Sequence, residues 1–101
     1  MTPAVIGKVN ADSTVTAVTV NSDGYDSHTG KVLRKYYNNE EAITELLSFG
    51  EISGLDINIT DTVFYCRDRR ESLIIHEFKS KAEFDEFWQG QYHYLFENNS
   101  F

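Results

Sequence analysis

The spacing of apolar residues changes along this chain, and that change limits the folds the chain can adopt. Val18 and Val20 alternate with threonines, which is the period of a strand with one buried face. The apolar run at residues 5–9, followed by polar residues 10–13, predicts the other strand of an N-terminal hairpin. From Lys31 the apolar residues recur at helical spacing. The sequence therefore combines strands and helices.

A second helix is predicted over residues 40–47. Asn38 as its N-cap would place Glu41 at the third helical position, which resembles a capping box. Gly50 suits the left-handed residue that often follows a helix. These end signals separate this helix from the one that begins at Lys31.

The C-terminal half contains a further helix and three strands. Ser80 and Glu83 match the capping box, so a short helix begins there. Apolar runs predict strands at residues 62–66, 73–78 and 92–96, whereas residues 51–55 are interpreted as a turn.

The elements follow the order ββααββαβ. This order predicts an α+β fold with an antiparallel sheet of four to five strands and the helices packed on one face. Pro3 is the only proline and no linker is visible, so residues 1–101 should form one domain. The predicted core consists of Val18, Val20, Leu33, Ile43, Leu46, Leu47, Phe64, Ile74, Phe84, Phe87, Trp88 and Leu95.

The composition excludes several classes of protein. Cys66 is the only cysteine, which rules out an internal disulfide framework and favours a reducing compartment. No apolar run is long enough to cross a bilayer and no leader-like segment is present, so we expect a cytoplasmic protein that does not bind membranes. The net charge of −7 disfavours binding to nucleic acid, whose phosphates are gripped by Lys and Arg.

Three of the nine Lys and Arg residues lie within residues 67–70. Because apolar runs flank this segment, it is predicted to form a hairpin turn. Arg67, Arg69 and Arg70 could bind phosphate or carboxylate groups there. The alternative is a solvated turn in which Asp68 and Glu71 neutralise the neighbouring arginines, and the residues favour that interpretation.

Several short motifs occur together in one order along nearly the whole chain. They are Asp23-Gly24-Tyr25, a Gly30-x-x-Leu33 step, Tyr36-Tyr37-Asn38, Glu45-Leu46-Leu47-x-x-Gly50-x-Ile52-Ser53-x-Leu55, Phe64-Tyr65-x-Arg67-Asp68-Arg69 and Tyr92-x-Tyr94-Leu95-Phe96. The combination resembles a family of small proteins encoded mainly by tailed phages and prophages, with a His-Trp-Asp-Gly-Tyr-Pro loop and an Arg-Asp-Arg-Gly turn. In this chain Asn21-Ser22 replaces His-Trp, Asp26 replaces the proline, and Arg70 replaces the glycine. The resemblance implies phage origin and a shared fold rather than a particular chemistry.

Some residues that this chain shares with the phage family are polar and do not look like core residues. They are concentrated in two segments, residues 23–30 and residues 67–70. We therefore expect these segments to lie close together, linked by an ion pair from Asp23 or Asp26 to an arginine, and to form the binding surface. The candidate binding residues are Asp23, Tyr25, Asp26, His28, Arg67, Asp68, Arg69 and Arg70.

Catalytic and metal-binding signatures are weak in this sequence. Cys66 beside Arg67 could be an activated thiol with His76 or His93 as its base, but no local motif brings these residues together. A lone strand cysteine is more often a small core residue. The three histidines are too scattered to form a metal motif, so neither a metal nor another cofactor is expected.

Two classes of function fit these observations. The first is a non-enzymatic phage factor that binds a host protein in the host cytoplasm as an inhibitor or modulator. The second is a module that binds, or binds and hydrolyses, a nucleotide or another small phosphate ligand; in it Arg67 and Arg69 meet phosphates while Asp23 and Asp68 assist. The small size and the weak catalytic signatures favour the first class, and self-association is compatible with either.

Overall fold

The N-terminal hairpin lies at the centre of the sheet. The computed structural model describes residues 2–101. Strands β1 (Ala4–Val9) and β2 (Val15–Val20) pair in antiparallel fashion, with Val9 opposite Val15 at the turn. The predicted hairpin is therefore confirmed.

Four further strands complete the sheet: β3 (Ile52–Gly54), β4 (Val63–Phe64), β5 (His76–Phe78) and β6 (Tyr92–Phe96). The strand order is β4-β3-β2-β1-β6, and β5 pairs with the other end of β2. The α+β fold is confirmed, but the sheet has six strands and is mixed, since β6 runs parallel to β1 and β3 runs parallel to β2.

The helices are α1 (Lys31–Tyr36), α2 (Glu40–Ser48), α3 (Tyr65–Arg69) and α4 (Lys81–Glu86), and a single π-helical turn, Asp26–Gly30, precedes α1. α4 connects β5 to β6, two strands that run in the same direction. Such a connection must cross a face of the sheet, which is why the final strand is parallel to β1.

The predicted helix ends are largely confirmed. Ser80 accepts a hydrogen bond from the amide of Glu83, and Gly50 adopts a left-handed φ of 79° after α2. The N-cap of α2 is Asn39 rather than Asn38, because the Asn39 side chain accepts the amide hydrogen of Ala42. Asn38 instead accepts a hydrogen bond from the backbone amide of Phe101.

Side-chain alternation divides the core between the two faces of the sheet. Ile6 and Val18 face α1 and α2, whereas Val5 and Ala17 face Phe84 of α4. The helices thus cover both faces, and the prediction that they pack on one face is wrong. The predicted core residues that are buried are Val18, Val20, Leu33, Ile43, Leu46, Leu47, Phe64 and Phe84.

Four predicted core residues are not fully buried. Ile74 is exposed because the predicted strand over residues 73–78 begins only at His76. Trp88 is exposed because α4 ends at Glu86, so Trp88 is not on its inward face. Phe87 and Leu95 are partly buried against the smaller cluster around Phe84.

Residues 51–55 also differ from the sequence-based interpretation. They contain strand β3 rather than only a turn, with Ile52 opposite Val20 and Phe64 on its two sides. Such a short strand has no recognisable period, and its position depends on partners far along the chain. Across residues 2–101, no helix is both long and apolar enough to cross a membrane.

Candidate functional site

The arginine-rich segment forms helix α3 and not a hairpin turn. β4 pairs with β3 and β5 pairs with β2, so the strands on either side of the segment are not partners. The carboxylate of Asp68 reaches back to the amide of Phe64, 2.8 Å away, and this bond satisfies a donor at the start of the helix. The helix ends at Arg70, which adopts a left-handed conformation.

The Arg67 side chain bonds to groups of the protein itself rather than extending into solvent. Its guanidinium donates hydrogen bonds to the carbonyl oxygens of Ile59 and Thr62, at 2.9 and 2.7 Å, and to both carboxylate oxygens of Asp68. It also lies 4.8 Å from the ring centroid of Phe64. These contacts hold the connection between β3 and β4, and the bond from Arg67 lowers the pKa of Asp68. Most donors of Arg67 are therefore engaged within the chain.

The other two arginines of this segment are less constrained. Arg69 donates a 3.1 Å hydrogen bond to the hydroxyl of Ser53 and lies over the ring of Tyr65. Arg70 is exposed and has no ion-pair partner among residues 2–101. Of the predicted binding arginines, Arg70 alone thus has no side-chain hydrogen bond or ion pair within residues 2–101.

The loop at residues 23–30 contains the other four predicted site residues. Asp26 forms a bidentate pair with Arg34, with both N···O distances at 3.0 Å, and this contact lowers the pKa of Asp26. The backbone carbonyl of Asp23 accepts a bond from the hydroxyl of Thr29. His28 lies 3.1 Å from the carbonyl oxygen of Leu55, and Tyr25 is exposed beside the His28 ring.

Residues 23–30 and residues 67–70, which were predicted to form one surface, are linked by a third segment. Both contact the connection between β3 and β4, since His28 reaches Leu55 while Arg67 reaches Ile59 and Thr62. Asp26 pairs with Arg34, and no ion pair among residues 2–101 joins the loop to residues 67–70.

A cleft of about 360 Å³ opens on the side of α1 that carries Lys31 and Lys35. We call it the basic cleft. It is lined by Ser27, His28, Lys31, Val32, Lys35, Tyr36 and Ile57. The spacing of four residues places both lysines on the same side of the helix. Neither lysine has an ion-pair partner within residues 2–101.

The apolar part of the basic cleft is exposed to solvent. Tyr36 and Ile57 are 40% and 48% accessible, and the Lys35 ammonium lies 5.3 Å from the Tyr36 ring centroid. Sequence reasoning had selected only His28 from this cleft. The spacing of Lys31 and Lys35 was a visible signal, but the position of Ile57, brought in by the connection between β3 and β4, was not.

A second cleft of about 260 Å³ lies between β1, β2, α2 and the region of β5. Its charged groups already have partners in the chain. Lys8 pairs with Glu40 at 2.7 Å, and Glu77 accepts a hydrogen bond from Thr16. This cleft consequently offers less uncompensated charge to a ligand than the basic cleft does.

The candidate catalytic residues do not come together as a thiol–imidazole pair. Both ring nitrogens of His93 lie within hydrogen-bond distance of backbone carbonyls, those of Gln91 and Phe87. The ring of His76 packs against Phe87, and Cys66 lies in α3. No group of three or more His, Cys, Asp or Glu side chains that could hold a metal ion occurs in the part of the chain that the structure describes.

Comparisons with protein-family models, with curated proteins and with solved structures find no match to this chain. The resemblance to a phage family therefore stays a prediction, and the function is inferred from the geometry of the clefts alone.

Proposed function

We propose that this protein acts without chemistry of its own, by binding a partner protein, and that the basic cleft receives an acidic segment of that partner. The observation that carries the proposal is the pair of lysines, Lys31 and Lys35, beside exposed Tyr36 and Ile57. An acidic segment with an apolar side chain complements both features.

The charge distribution supports an acidic ligand. The whole chain carries a net charge of −7, so most of its surface repels other acidic proteins. Positive side chains elsewhere are partly neutralised, as in the pairs Lys8–Glu40 and Lys81–Glu97. The two lysines of the basic cleft instead add a local positive field, which would direct an acidic segment to this position and orient it.

The apolar residues supply the remaining affinity. Aromatic residues at the centre of an interface often contribute most of the binding free energy. Covering Tyr36 and Ile57 removes apolar surface from water, and complete burial of one such side chain contributes about 1.5–3 kcal/mol. The cleft volume is at the lower end of the range for ligand pockets, so it suits one or two side chains better than a large ligand.

A small phosphate ligand is the alternative occupant. Ammonium groups beside an aromatic ring also suit a nucleotide, whose base could stack on Tyr36 while its phosphates meet the lysines. The arginine segment suits this ligand less well, because the hydrogen-bond donors of Arg67 already bond to backbone carbonyls and to Asp68. A host protein as partner follows only from the phage resemblance and stays a prediction.

The proposal can be tested with defined peptides. We expect a fluorescent peptide of alternating Glu and Phe to bind, a Glu-only peptide to bind more weakly, and a Lys–Phe peptide not to bind. The double variant Lys31→Ala/Lys35→Ala should lose this binding, whereas Lys79→Ala, an exposed lysine outside the cleft, should retain it. Added salt should weaken the interaction because the charges are exposed.

Three outcomes would contradict the proposal. Equal binding of the acidic peptides to wild type and to Lys31→Ala/Lys35→Ala would exclude the basic cleft. Loss of binding in Arg69→Ala/Arg70→Ala alone would move the site to the arginine segment. If ATP and pyrophosphate raise the melting temperature of wild type but not of the lysine double variant, while neither acidic peptide binds, the cleft is a phosphate site.

A further inference from the structure

The outer edge of β6 is an open edge of the sheet. β6 is the last strand in the order β4-β3-β2-β1-β6 and pairs only with β1 among the strands of residues 2–101. Its five residues, Tyr92–Phe96, make it longer than β3, β4 or β5. Backbone groups on such an edge are available to pair with another strand.

The other edges are protected in ways that natural proteins commonly use. β4 has only two residues and leads directly into α3, whose Arg67 and Asp68 carry charges. β5 has three residues, includes Glu77 and is followed by Lys79. Short strands and charged side chains both discourage edge pairing. β6 lacks both along residues 92–95; only its C-terminal end meets such features, where Glu97 and Ser100 exchange backbone hydrogen bonds and Phe101 packs against Phe96.

The sequence around β6 differs from the rest of the chain in charge. Residues 87–96 contain no Asp, Glu, Lys or Arg, although a quarter of the chain is charged. Two of the exposed aromatic residues, Trp88 and Tyr92, lie in this stretch. Two copies with a net charge of −7 repel each other over most orientations, and this uncharged stretch reduces the repulsion when two β6 edges approach.

We propose that β6 pairs with β6 of a second copy, in antiparallel fashion about a two-fold axis. The same edge then serves both copies, as a two-fold interface requires. Pairing joins the two sheets into one continuous sheet and provides partners for the outward backbone groups of each β6. Tyr92 of each copy is brought to the interface, where its exposed ring loses contact with water. None of the residues that line the basic cleft belongs to β6, so this inference does not depend on the proposed function.

Sedimentation analysis over a range of concentrations tests the proposal. Wild type should form a dimer, and added salt should strengthen it, since screening weakens the repulsion between two acidic copies. Tyr92→Glu should weaken dimerisation by about tenfold or more, because it places a carboxylate inside the uncharged pairing strand, close to the apolar and acidic C-terminal end of the second copy's β6. Tyr25→Glu is the matched control, since Tyr25 is similarly exposed and adds the same charge away from β6, and it should dimerise like wild type apart from a small general charge effect.

A second measurement separates pairing at β6 from a folding defect or another interface. The amides of residues 92–96 should exchange with solvent more slowly as the wild-type concentration rises, whereas in Tyr92→Glu they should not change. A circular dichroism melt should show that Tyr92→Glu still folds. The proposal is overturned if wild type stays monomeric at its solubility limit, or if it dimerises without protection of these amides.

Discussion

The hydroxyl of Tyr94 lies 2.7 Å from the carbonyl oxygen of Gly24 and donates a buried hydrogen bond to it. The amide of Gly24 donates in turn to the carbonyl oxygen of Thr2. A side chain at Gly24 would meet the backbone of Pro3 and the Ala4 side chain within 3 Å, so only glycine fits this position. Three distant segments of the chain are thus joined at one point, beside the start of β1.

Removing this hydroxyl tests the junction. We expect Tyr94→Phe to lower the free energy of unfolding by about 1–3 kcal/mol, because the buried carbonyl of Gly24 loses its side-chain donor. Tyr92→Phe is the matched control, since Tyr92 is exposed and has no side-chain hydrogen bond within residues 2–101. Denaturant unfolding at neutral pH, at a protein concentration that favours the monomer, measures both changes. Equal stability of the two variants would show that the bond contributes nothing.

Tyr94 should also make the free energy of unfolding fall as the pH rises in the alkaline range. Burial raises the pKa of Tyr94 to about 12 in the folded protein, whereas the pKa of a tyrosine in the unfolded chain is about 10. The folded state then holds its proton more tightly, so this contribution is complete below about pH 10 and is lost as the pH rises through about 12. Unfolding measured across this window should show a smaller loss of stability for Tyr94→Phe than for Tyr92→Phe. Identical pH profiles would contradict the role of Tyr94.

Leu46 tests the core on the α2 face. Its side chain is fully buried, so Leu46→Ala should lower the free energy of unfolding by about 2–4 kcal/mol. Leu73→Ala changes the same side chain at a position that is 54% exposed, and it should cost about 0.5 kcal/mol or less. Thermal and urea unfolding provide the comparison. A nearly unchanged melting midpoint for Leu46→Ala would remove Leu46 from the core.

Replacing Arg70 with glycine should raise the free energy of unfolding. Arg70 has a φ of 56°, and this left-handed conformation costs a residue with a side chain roughly 1–2 kcal/mol. Arg70→Gly removes that cost in the folded state but also makes the unfolded chain more flexible, so we expect a gain of about 0.5–1 kcal/mol. Arg70→Ala keeps the unfavourable φ and should not show this gain. A loss of stability in Arg70→Gly would contradict the interpretation.

Arg67 should be more important for stability than its exposed position indicates. Arg67→Lys keeps the positive charge but cannot reproduce the set of bonds to Ile59, Thr62 and Asp68. We expect it to lower the free energy of unfolding by about 1–3 kcal/mol. Arg69→Lys breaks one solvent-exposed hydrogen bond, to the Ser53 hydroxyl, and should change the free energy of unfolding by about 0.5 kcal/mol or less. If both variants unfold alike, Arg67 does not stabilise the connection between β3 and β4.

Local signals predicted the elements that are formed by neighbouring residues. The alternation of Val18 and Val20 indicated the hairpin, and Ser80 with Glu83 marked the start of α4, because strand periodicity and capping depend on a few adjacent residues. Pairing between distant strands was not predictable in this way. The neighbours Ile52 and Val20 pair through a single parallel position, and nothing in either segment specifies the other.

The candidate site shows the same division between local and distant information. The cluster of arginines was visible in the sequence, but their contacts were not, because Arg67 bonds to carbonyls that become close only when the connection between β3 and β4 folds back. The five-residue helix α3 is also too short for a periodic signal. The basic cleft likewise depends on Ile57 from that connection, so only its lysines could be identified from spacing.

The parallel pairing of β1 with β6 has a consequence for how the chain is made. Ala4 pairs with Tyr92, so β1 emerges from the ribosome long before its second neighbour exists. Until Tyr92–Phe96 has been synthesised, the nascent hairpin lacks the strand that contributes Tyr94 and Phe96 to the core. Contacts between residues so far apart in sequence slow folding, because the chain must close a long loop first. During translation the hairpin edge is therefore exposed to other nascent chains and to chaperones.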